Sequence, residues 1–230
     1  LGNIGALASK PVMEGKGLLL KTFADIDVFD IEVDEEDPEK FIEIVCAIAP
    51  TFGAINLEDI KAPECFEIER RIAEGTDIPV MHDDQHGTAI ITGAALLNAA
   101  EIQEKELADI KVVIAGAGAS AIACATHYVK LGINLDNIIM CDSQGIMTTK
   151  RLNAGELNEY KAKFARDIEE GDLASAMKGA DLFLGLSKGG IVSREMVEKM
   201  GEKPIIFALA NPTPEIMPEL AKLAKPDAIV

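Results

Sequence analysis

Positive charge is scarce in this chain of 230 residues: 22 Lys and Arg stand against 39 Asp and Glu, a formal charge of −17. Such a balance repels phosphodiester backbones and anionic lipid, so neither nucleic acid nor a membrane surface is expected as a partner. A small anionic substrate would need local help from a metal, a lysine or helix N-termini. Cysteine is also sparse. Cys46, Cys65, Cys124 and Cys141 form no C-x-x-C pair and lack the density of a secreted disulfide scaffold, which points to a reduced, cytoplasmic setting. No apolar run approaches the roughly 20 residues needed to span a bilayer, and there is no internal repeat or low-complexity tract. The opening Leu-Gly-Asn-Ile-Gly has no initiator Met and no charged region followed by an apolar one, so it is not a signal peptide. It reads as a strand-to-turn passage entered midway, and residues 226–230 stop where a strand begins; a fragment is expected.

What is present describes an ordinary globular protein. Hydrophobic residues make up 48% and charged residues 27%, with enough length for one large domain or two smaller ones. Short β-branched runs alternate with segments of helical period, the pattern of an α/β protein with a mostly parallel sheet. The runs predict strands at 26–33, 53–57, 78–81, 111–115, 137–141, 181–184 and 204–208, and one more at the C-terminal end. Helices are predicted near 11–23, 38–49, 63–73, 87–100, 120–131, 156–166, 173–177, 193–200 and 214–222. Pro11, Pro38, Pro63 and Pro214 would then fall in first helical turns, where proline is tolerated. The apolar helix at 87–100, followed by the charged 101–109, looks like a joint between two lobes. Domains are expected at 1–85 and 86–230.

In the second of these, 111–115 runs into Gly116, Ala117, Gly118, Ala119, Ser120 and Ala121 and then a helix, and the next strand ends in Asp142. This is G-x-G-x-x-A between strand and helix, with an acid 24 positions beyond the second glycine. The glycines permit a tight turn and close approach of a pyrophosphate, the helix N-terminus offers N–H groups, and the acid can accept from a ribose hydroxyl. A Rossmann-type, doubly wound parallel sheet that binds NAD or NADP is the reading. Asp142 favours NAD. Ser143 and Gln144 follow it, however, and Lys150 and Arg151 lie close enough to meet a 2′-phosphate, so cofactor choice stays open.

The first lobe carries two adjacent acid pairs, Glu58-Asp59 and Asp83-Asp84, each following an apolar strand. Neighbouring side chains in a strand point to opposite faces, so each pair converges only if its strand has already ended. The 26 residues from Glu58 to Asp84 fit one β–α–β unit, which would put both pairs at the carboxyl ends of neighbouring parallel strands. A single acid there is commonly a helix cap, but two pairs on one edge would repel without a cation between them. Three or four carboxylates suit Mg²⁺ or Mn²⁺. His82 and His86, four apart, raise the alternative of zinc. His82 falls at a strand end, however, and Gly87 suggests a helix that begins later, which leaves both imidazoles satisfied polar roles. His127, inside a helix, reads as structural. Lys16 lies on an apolar helix between Gly15 and Gly17; there it is either a snorkelling lysine or, near a metal, a base of lowered pKa.

Taken together, Gly-Asn-Ile-Gly at 2–5, Lys-Pro-Val-Met-Glu-Gly-Lys at 10–16, Ile-Asn-Leu-Glu-Asp-Ile-Lys-Ala-Pro-Glu-Cys-Phe at 55–66, His-Asp-Asp-Gln-His-Gly-Thr-Ala at 82–89, Gly-Ala-Gly-Ala-Ser-Ala at 116–121 and Ala-Leu-Ala-Asn-Pro-Thr-Pro-Glu at 208–215 closely resemble the malic enzyme family in its bacterial-type form. The resemblance covers essentially the whole chain. It implies oxidative decarboxylation of (S)-malate to pyruvate and CO₂ with NAD⁺ or NADP⁺ and Mg²⁺ or Mn²⁺, in a cytoplasmic homo-oligomer. It implies Glu58, Asp59 and Asp84 as metal ligands, Lys16 as general base, and Asn211 as a residue that contacts substrate and nicotinamide. The chemistry is consistent: a metal on the substrate's carboxylate and 2-hydroxyl oxygens would assist deprotonation by Lys16 as hydride leaves, and would then polarise the ketone for loss of CO₂.

The resemblance also implies a smaller, N-terminally truncated α/β lobe carrying the metal and substrate site ahead of the nucleotide-binding domain. The family's catalytic tyrosine belongs to a Tyr-Ser-Pro-Gly-like segment before Leu1, and Tyr128 and Tyr160 do not match it. A further C-terminal asparagine motif is absent, and on a phosphotransacetylase-like extension the sequence is silent. Two rivals remain: a metal-independent dehydrogenase of the amino-acid type, and a nucleotide-binding fragment with no activity of its own.

Overall fold

The computed structural model describes residues 4–230; residues 1–3, the start of the expected strand-to-turn passage, lie outside them. The chain divides after Asp84 into two compact units.

The first unit contains helices α1 (Ala6–Ala24), α2 (Pro38–Ile48) and α3 (Glu64–Gly75), with strands β1 (Ile55–Leu57) and β2 (Val80–His82). Helix α2 starts where Asp37 accepts the Glu39 N–H and Pro38 occupies the first turn. Helix α3 buries Cys65, Ile68 and Ile72, a spacing of three and four that lines one helical face. That face packs with Ile42 and Val45 of α2 and Leu57 of β1. Strands β1 and β2 pair in parallel, with Leu57 opposite His82. The β1–α3–β2 passage is therefore the expected β–α–β unit, and both strands end on one edge.

Two expectations fail in this unit. Helix α1 begins at Ala6, so Pro11 sits inside it and not in its first turn. The predicted strand at 26–33 is extended but unpaired: among the described residues no strand bonds to it. A strand is defined by its ladder partner, and β-branched composition cannot supply one. Phe29 within this stretch stays exposed, at 73%, with its ring centroid 6.0 Å from that of Phe52.

Helix α4 (Asp83–Ile102) begins four residues before Gly87, the expected start. Asp83 and Asp84 in its first turn complement the helix dipole. Gln85, Ala89, Thr92, Leu96 and Ala99, three and four apart, form a buried face on both sides of Gly87 in sequence, which offsets the cost of a glycine in the helix.

The second unit holds a sheet of strands β3 (Val112–Ala115), β4 (Ile138–Asp142), β5 (Gly145–Ile146), β6 (Leu182–Gly185) and β7 (Ile205–Ala208), in the order β5-β4-β3-β6-β7. Four strands are parallel, and β5 adds an antiparallel edge that the sequence reading missed. Every residue of β3 and β6 is buried, as expected for strands covered on both faces. The C-terminal end adds one parallel bridge, Ile229 to Ile205. Helix α5 (Ala119–Leu131) packs closely on α4: a Cβ on Gly93 would lie 2.7 Å from the His127 ring, which gives His127 its structural role.

Shorter helices follow at α6 (Thr149–Asn153), which was not expected, α7 (Glu159–Ala162), α8 (Leu173–Ala176), α9 (Arg194–Glu198) and α10 (Pro218–Ala224). The predicted helix at 156–166 is reduced to the single turn of α7. Pro218, not Pro214, opens α10; the carbonyls of Pro214 and Glu215 instead accept from the Gly190 and Val192 N–H groups. From β3 the chain moves first to β4 on one side and then to β6 on the other. The carboxyl ends of β3 and β6 thus form a topological switch point, where open α/β sheets build their sites.

Candidate functional site

In the first unit β1 ends at Leu57, and Asp59 adopts a left-handed backbone conformation, φ 54°. Aspartate tolerates this region better than most side chains. The turn breaks the strand's alternation, so Glu58 and Asp59 converge in place of diverging. Across the β1–β2 register, Asp84 enters from the first turn of α4. Carboxylate oxygens of Glu58, Asp59 and Asp84 all lie within 4.8 Å of one another, each residue partly buried. Two oxygens on opposite sides of a Mg²⁺-sized ion are about 4.2 Å apart, from metal–oxygen distances of 2.0–2.1 Å. Three carboxylate oxygens gathered within 4.8 Å are of the size and chemistry that a hard divalent ion takes. Among the described residues no histidine joins this group.

Lys16 of α1 reaches the same place. Its Nζ lies 2.6 Å from Glu58 Oε2 and 2.5 Å from Asp83 Oδ2. Burial pulls the Lys16 pKa down, but hydrogen bonds to Asp83 and Glu58 outweigh it and the net shift is upward. The lowered pKa expected for a base does not hold while both carboxylates engage the ammonium. Burial pushes the Glu58 carboxyl up, opposed by Lys16. A hydrogen bond from His82 holds Asp84 down despite burial.

The His82 side chain is fully buried, with Nε2 3.3 Å from Asp84 Oδ2, and the His82 backbone N–H donates to Glu69 at 2.8 Å. Asp83 was expected as one of an acid pair, but the resemblance assigned it no role of its own. Its sequence signal was its adjacency to Asp84: successive positions in a helical turn diverge by about 100°, so one acid faces the cluster and the other the lysine. A cavity of about 950 Å³ in this unit is lined by Lys16, Glu58 and Asp59 and by apolar groups including Met13, Phe41 and Met81.

In the second unit the glycine turn follows β3. Gly116 has φ +120°, and a Cβ there would lie 2.5 Å from the Leu186 carbonyl oxygen, so only glycine fits. Gly118 differs: a Cβ would meet nothing within 4 Å, and as N-cap of α5 it supplies no side-chain bond to the first turn. Ala117, Ala119 and Ser120 are partly exposed around it, and Ala121 is buried beneath. The turn therefore leaves open space at a helix N-terminus, the arrangement that accepts a pyrophosphate. Asn211 lies exposed beyond β7, at the same carboxyl edge. Tyr128 is fully buried in α5 and cannot reach a substrate.

Asp142 ends β4, with Ser143 exposed beside it. Both Asp142 oxygens accept from Arg151, at 2.9 Å each, and one also accepts the Gln144 N–H. Arg151 is itself buried and also bonds Glu156. It therefore does not stand ready for a 2′-phosphate, contrary to expectation; Lys150 is exposed but paired with Glu170 at 2.6 Å. Burial raises the Asp142 pKa and Arg151 more than reverses it, leaving it below the ordinary range.

Arg151→Met should then destabilise by about 2–4 kcal/mol, since it strands a mostly buried carboxylate. A depressed folded pKa contributes stability above the unfolded value and loses it as pH falls through the folded one. The gap between wild type and variant should thus be full at neutral pH and shrink below about pH 4. Denaturant midpoints measured across that range check it, and a gap independent of pH would be incompatible with the ion pair.

Family models bear on the chain as a whole. The one described as "Malic enzyme, NAD binding domain" matches residues 85–226, and "Malic enzyme, N-terminal domain" matches residues 1–73. The NADP-dependent malic enzyme of Escherichia coli is 57% identical over 100% of this chain, which covers 30% of that protein. The NAD-dependent malic enzyme of Rhizobium meliloti is 54% identical, with the same coverage. Among solved structures, the NAD-dependent malic enzyme of Thermotoga maritima superposes with a TM-score of 0.92 at 46% identity, covering 100% of this chain and 61% of that one. The chain thus spans about a third of the curated relatives it matches most strongly. With an acid cluster, a lysine held against it and an open glycine turn all lying within matched family domains or at their edge, the chain belongs to the malic enzyme family.

Proposed function

We propose that this chain serves the divalent-metal-dependent oxidative decarboxylation of (S)-malate to pyruvate and CO₂, coupled to reduction of NAD⁺ or NADP⁺. The observation that carries the reading is the seating of Lys16 between Glu58 and Asp83, at the edge of the Glu58–Asp59–Asp84 cluster. Glu58, Asp59 and Asp84 would hold Mg²⁺ or Mn²⁺, which supplies a Lewis acid for the substrate's carboxylate and 2-hydroxyl oxygens. Lys16, its Nζ held by Asp83, would take the substrate's hydroxyl proton, and the dinucleotide when bound would supply the hydride acceptor. Gly116, Ala117, Gly118, Ala119, Ser120 and Ala121 form the phosphate turn, Asp142 and Ser143 the ribose contact, and Asn211 meets substrate and nicotinamide.

The same reading places the division of labour at residues 1–85 for metal and substrate and 86–230 for the dinucleotide. It further takes the protein to be a cytoplasmic homo-oligomer. Four free cysteines agree with a reducing compartment, and among the described residues no helix is long and apolar enough to cross a membrane. Named relatives of nearly equal identity use NAD in one case and NADP in another, and the Asp142–Arg151 pair leaves both open.

The deciding experiment supplies the full-length protein with malate, Mn²⁺ and either NAD⁺ or NADP⁺ and follows reduced nicotinamide by absorbance and pyruvate by a coupled assay. Turnover abolished by chelator and restored by Mn²⁺ is expected; turnover indifferent to chelator would favour a metal-independent dehydrogenase. Gly118→Val should abolish dinucleotide binding with the fold intact, because its side chain enters the space left for the pyrophosphate. Unchanged affinity by calorimetry would remove the glycine turn from the cofactor site.

A further inference from the structure

Glu215 is fully buried and plays no part in the chemistry above. One carboxylate oxygen accepts the Ser187 N–H at 2.9 Å and the other accepts the Ala210 N–H at 3.0 Å. Ser187 follows β6 and Ala210 follows β7, so one side chain ties together the carboxyl ends of two neighbouring parallel strands. The backbone around it closes the same seam. Val192 N–H donates to the Glu215 carbonyl and Gly190 N–H to that of Pro214, both at 3.0 Å. Gly185 makes room for the carboxylate: a Cβ there would lie 2.3 Å from Glu215 Cδ. Gly189 is pressed as closely on Thr213, whose carbonyl oxygen would be 2.5 Å from a Cβ.

Burying a carboxylate where a hydrocarbon would fill the space is costly unless its hydrogen bonds are needed. What Glu215 provides is two acceptors aimed at two donors that belong to different loops. Those loops lie to one side of the glycine turn, the β6 loop next to it and the β7 loop beyond. Leu186, one residue before Ser187, presents the carbonyl oxygen that presses on Gly116, and Asn211 directly follows Ala210. We propose that Glu215 is a positioning residue for the dinucleotide. Through the Ser187 and Ala210 N–H groups it holds the β6 loop against the glycine turn and the β7 loop in register with it, so that a nicotinamide cofactor meets a preformed edge. This rests on the dinucleotide reading of the second unit.

The test compares Glu215→Gln with Glu215→Asp in the full-length protein. Glutamine has the same size, but its amide group sets a donor against one of the two N–H donors. Aspartate is shorter and keeps two acceptors. Positioning predicts that Glu215→Gln weakens dinucleotide affinity by at least about tenfold, the effect of one hydrogen bond to a charged group. Glu215→Asp should retain more affinity than Gln, and Mn²⁺ affinity should be unchanged in both. A space-filling role predicts the reverse order, with Gln near wild type and Asp worse, and that order overturns the proposal, as does unchanged affinity in both variants.

Should Glu215→Gln fail to fold, amide exchange on the wild type decides. Ser187 and Ala210 amides protected like those of β6 and β7 support the role, and exchange at open-loop rates overturns it. Malate turnover by the wild type, measured alongside, reports separately on the function itself. Its absence would leave the Gln-against-Asp comparison of dinucleotide affinity standing.

Discussion

Asp84→Asn is expected to lower Mn²⁺ affinity by two orders of magnitude or more while dinucleotide binding survives. Asp84 lies in the first turn of α4, where a lone acid is commonly no more than a favourable charge at a helix N-terminus. If that were its whole role, an asparagine of nearly equal size would cost a few tenths to about 1 kcal/mol and leave the metal untouched. The cluster with Glu58 and Asp59 assigns it a different part. A hard cation is held chiefly by anionic oxygen, and a neutral amide is a far weaker partner.

The histidines sharpen the test. His82 lies 3.3 Å from Asp84 Oδ2, and an orienting partner of this kind typically contributes about 10–100-fold in metal affinity. His86, on the exposed side of α4, should matter within a few-fold. The expected order of loss is therefore Asp84→Asn, then His82→Ala, then His86→Ala, read by Mn²⁺ titration. A metal that survives Asp84→Asn but not the histidine changes would show that nitrogen, not oxygen, holds it.

Lys16→Ala should reduce malate turnover about 10²–10⁴-fold, the usual contribution of a general base, with a much smaller effect on Mn²⁺. The sign of the metal effect is informative. Lys16 occupies Glu58 at 2.6 Å, so removing it frees a ligand and should leave Mn²⁺ affinity equal or somewhat tighter. A snorkelling lysine would instead show near-normal turnover at neutral and high pH alike. Single-turnover measurement of nicotinamide reduction places the loss at hydride transfer, since the base acts while that bond breaks.

Much of the site is legible in the order of residues because its parts are local. Gly116 and Gly118 sit between an apolar strand and a helix, and the structure puts the first where only glycine fits and the second against open space. Glu58-Asp59 and Asp83-Asp84 follow apolar runs, and one intervening helix is enough to bring both strand ends to one edge. Spacing of this kind is governed by backbone geometry over a few residues, so it survives without knowledge of the rest of the chain.

What spacing cannot carry is the choice among partners that are distant in sequence. Asp83 and Asp84 look alike as neighbours; only the fold turns one to Lys16, 67 residues away, and the other to the acid cluster. Lys150 and Arg151 look equally ready for a phosphate, yet burial commits Arg151 to Asp142. The stretch at 26–33 has strand composition and, among the described residues, no strand bonded to it, and Gly87 looked like a boundary although α4 starts before it and continues past it. Glu215 gave no sign of its place, because a buried carboxylate is stable only where two loops from elsewhere bring their N–H groups to it. Residue order determined which chemical groups stand at the strand ends; tertiary packing decided which of them meet, since pairing energy depends on distance and desolvation that no local pattern contains.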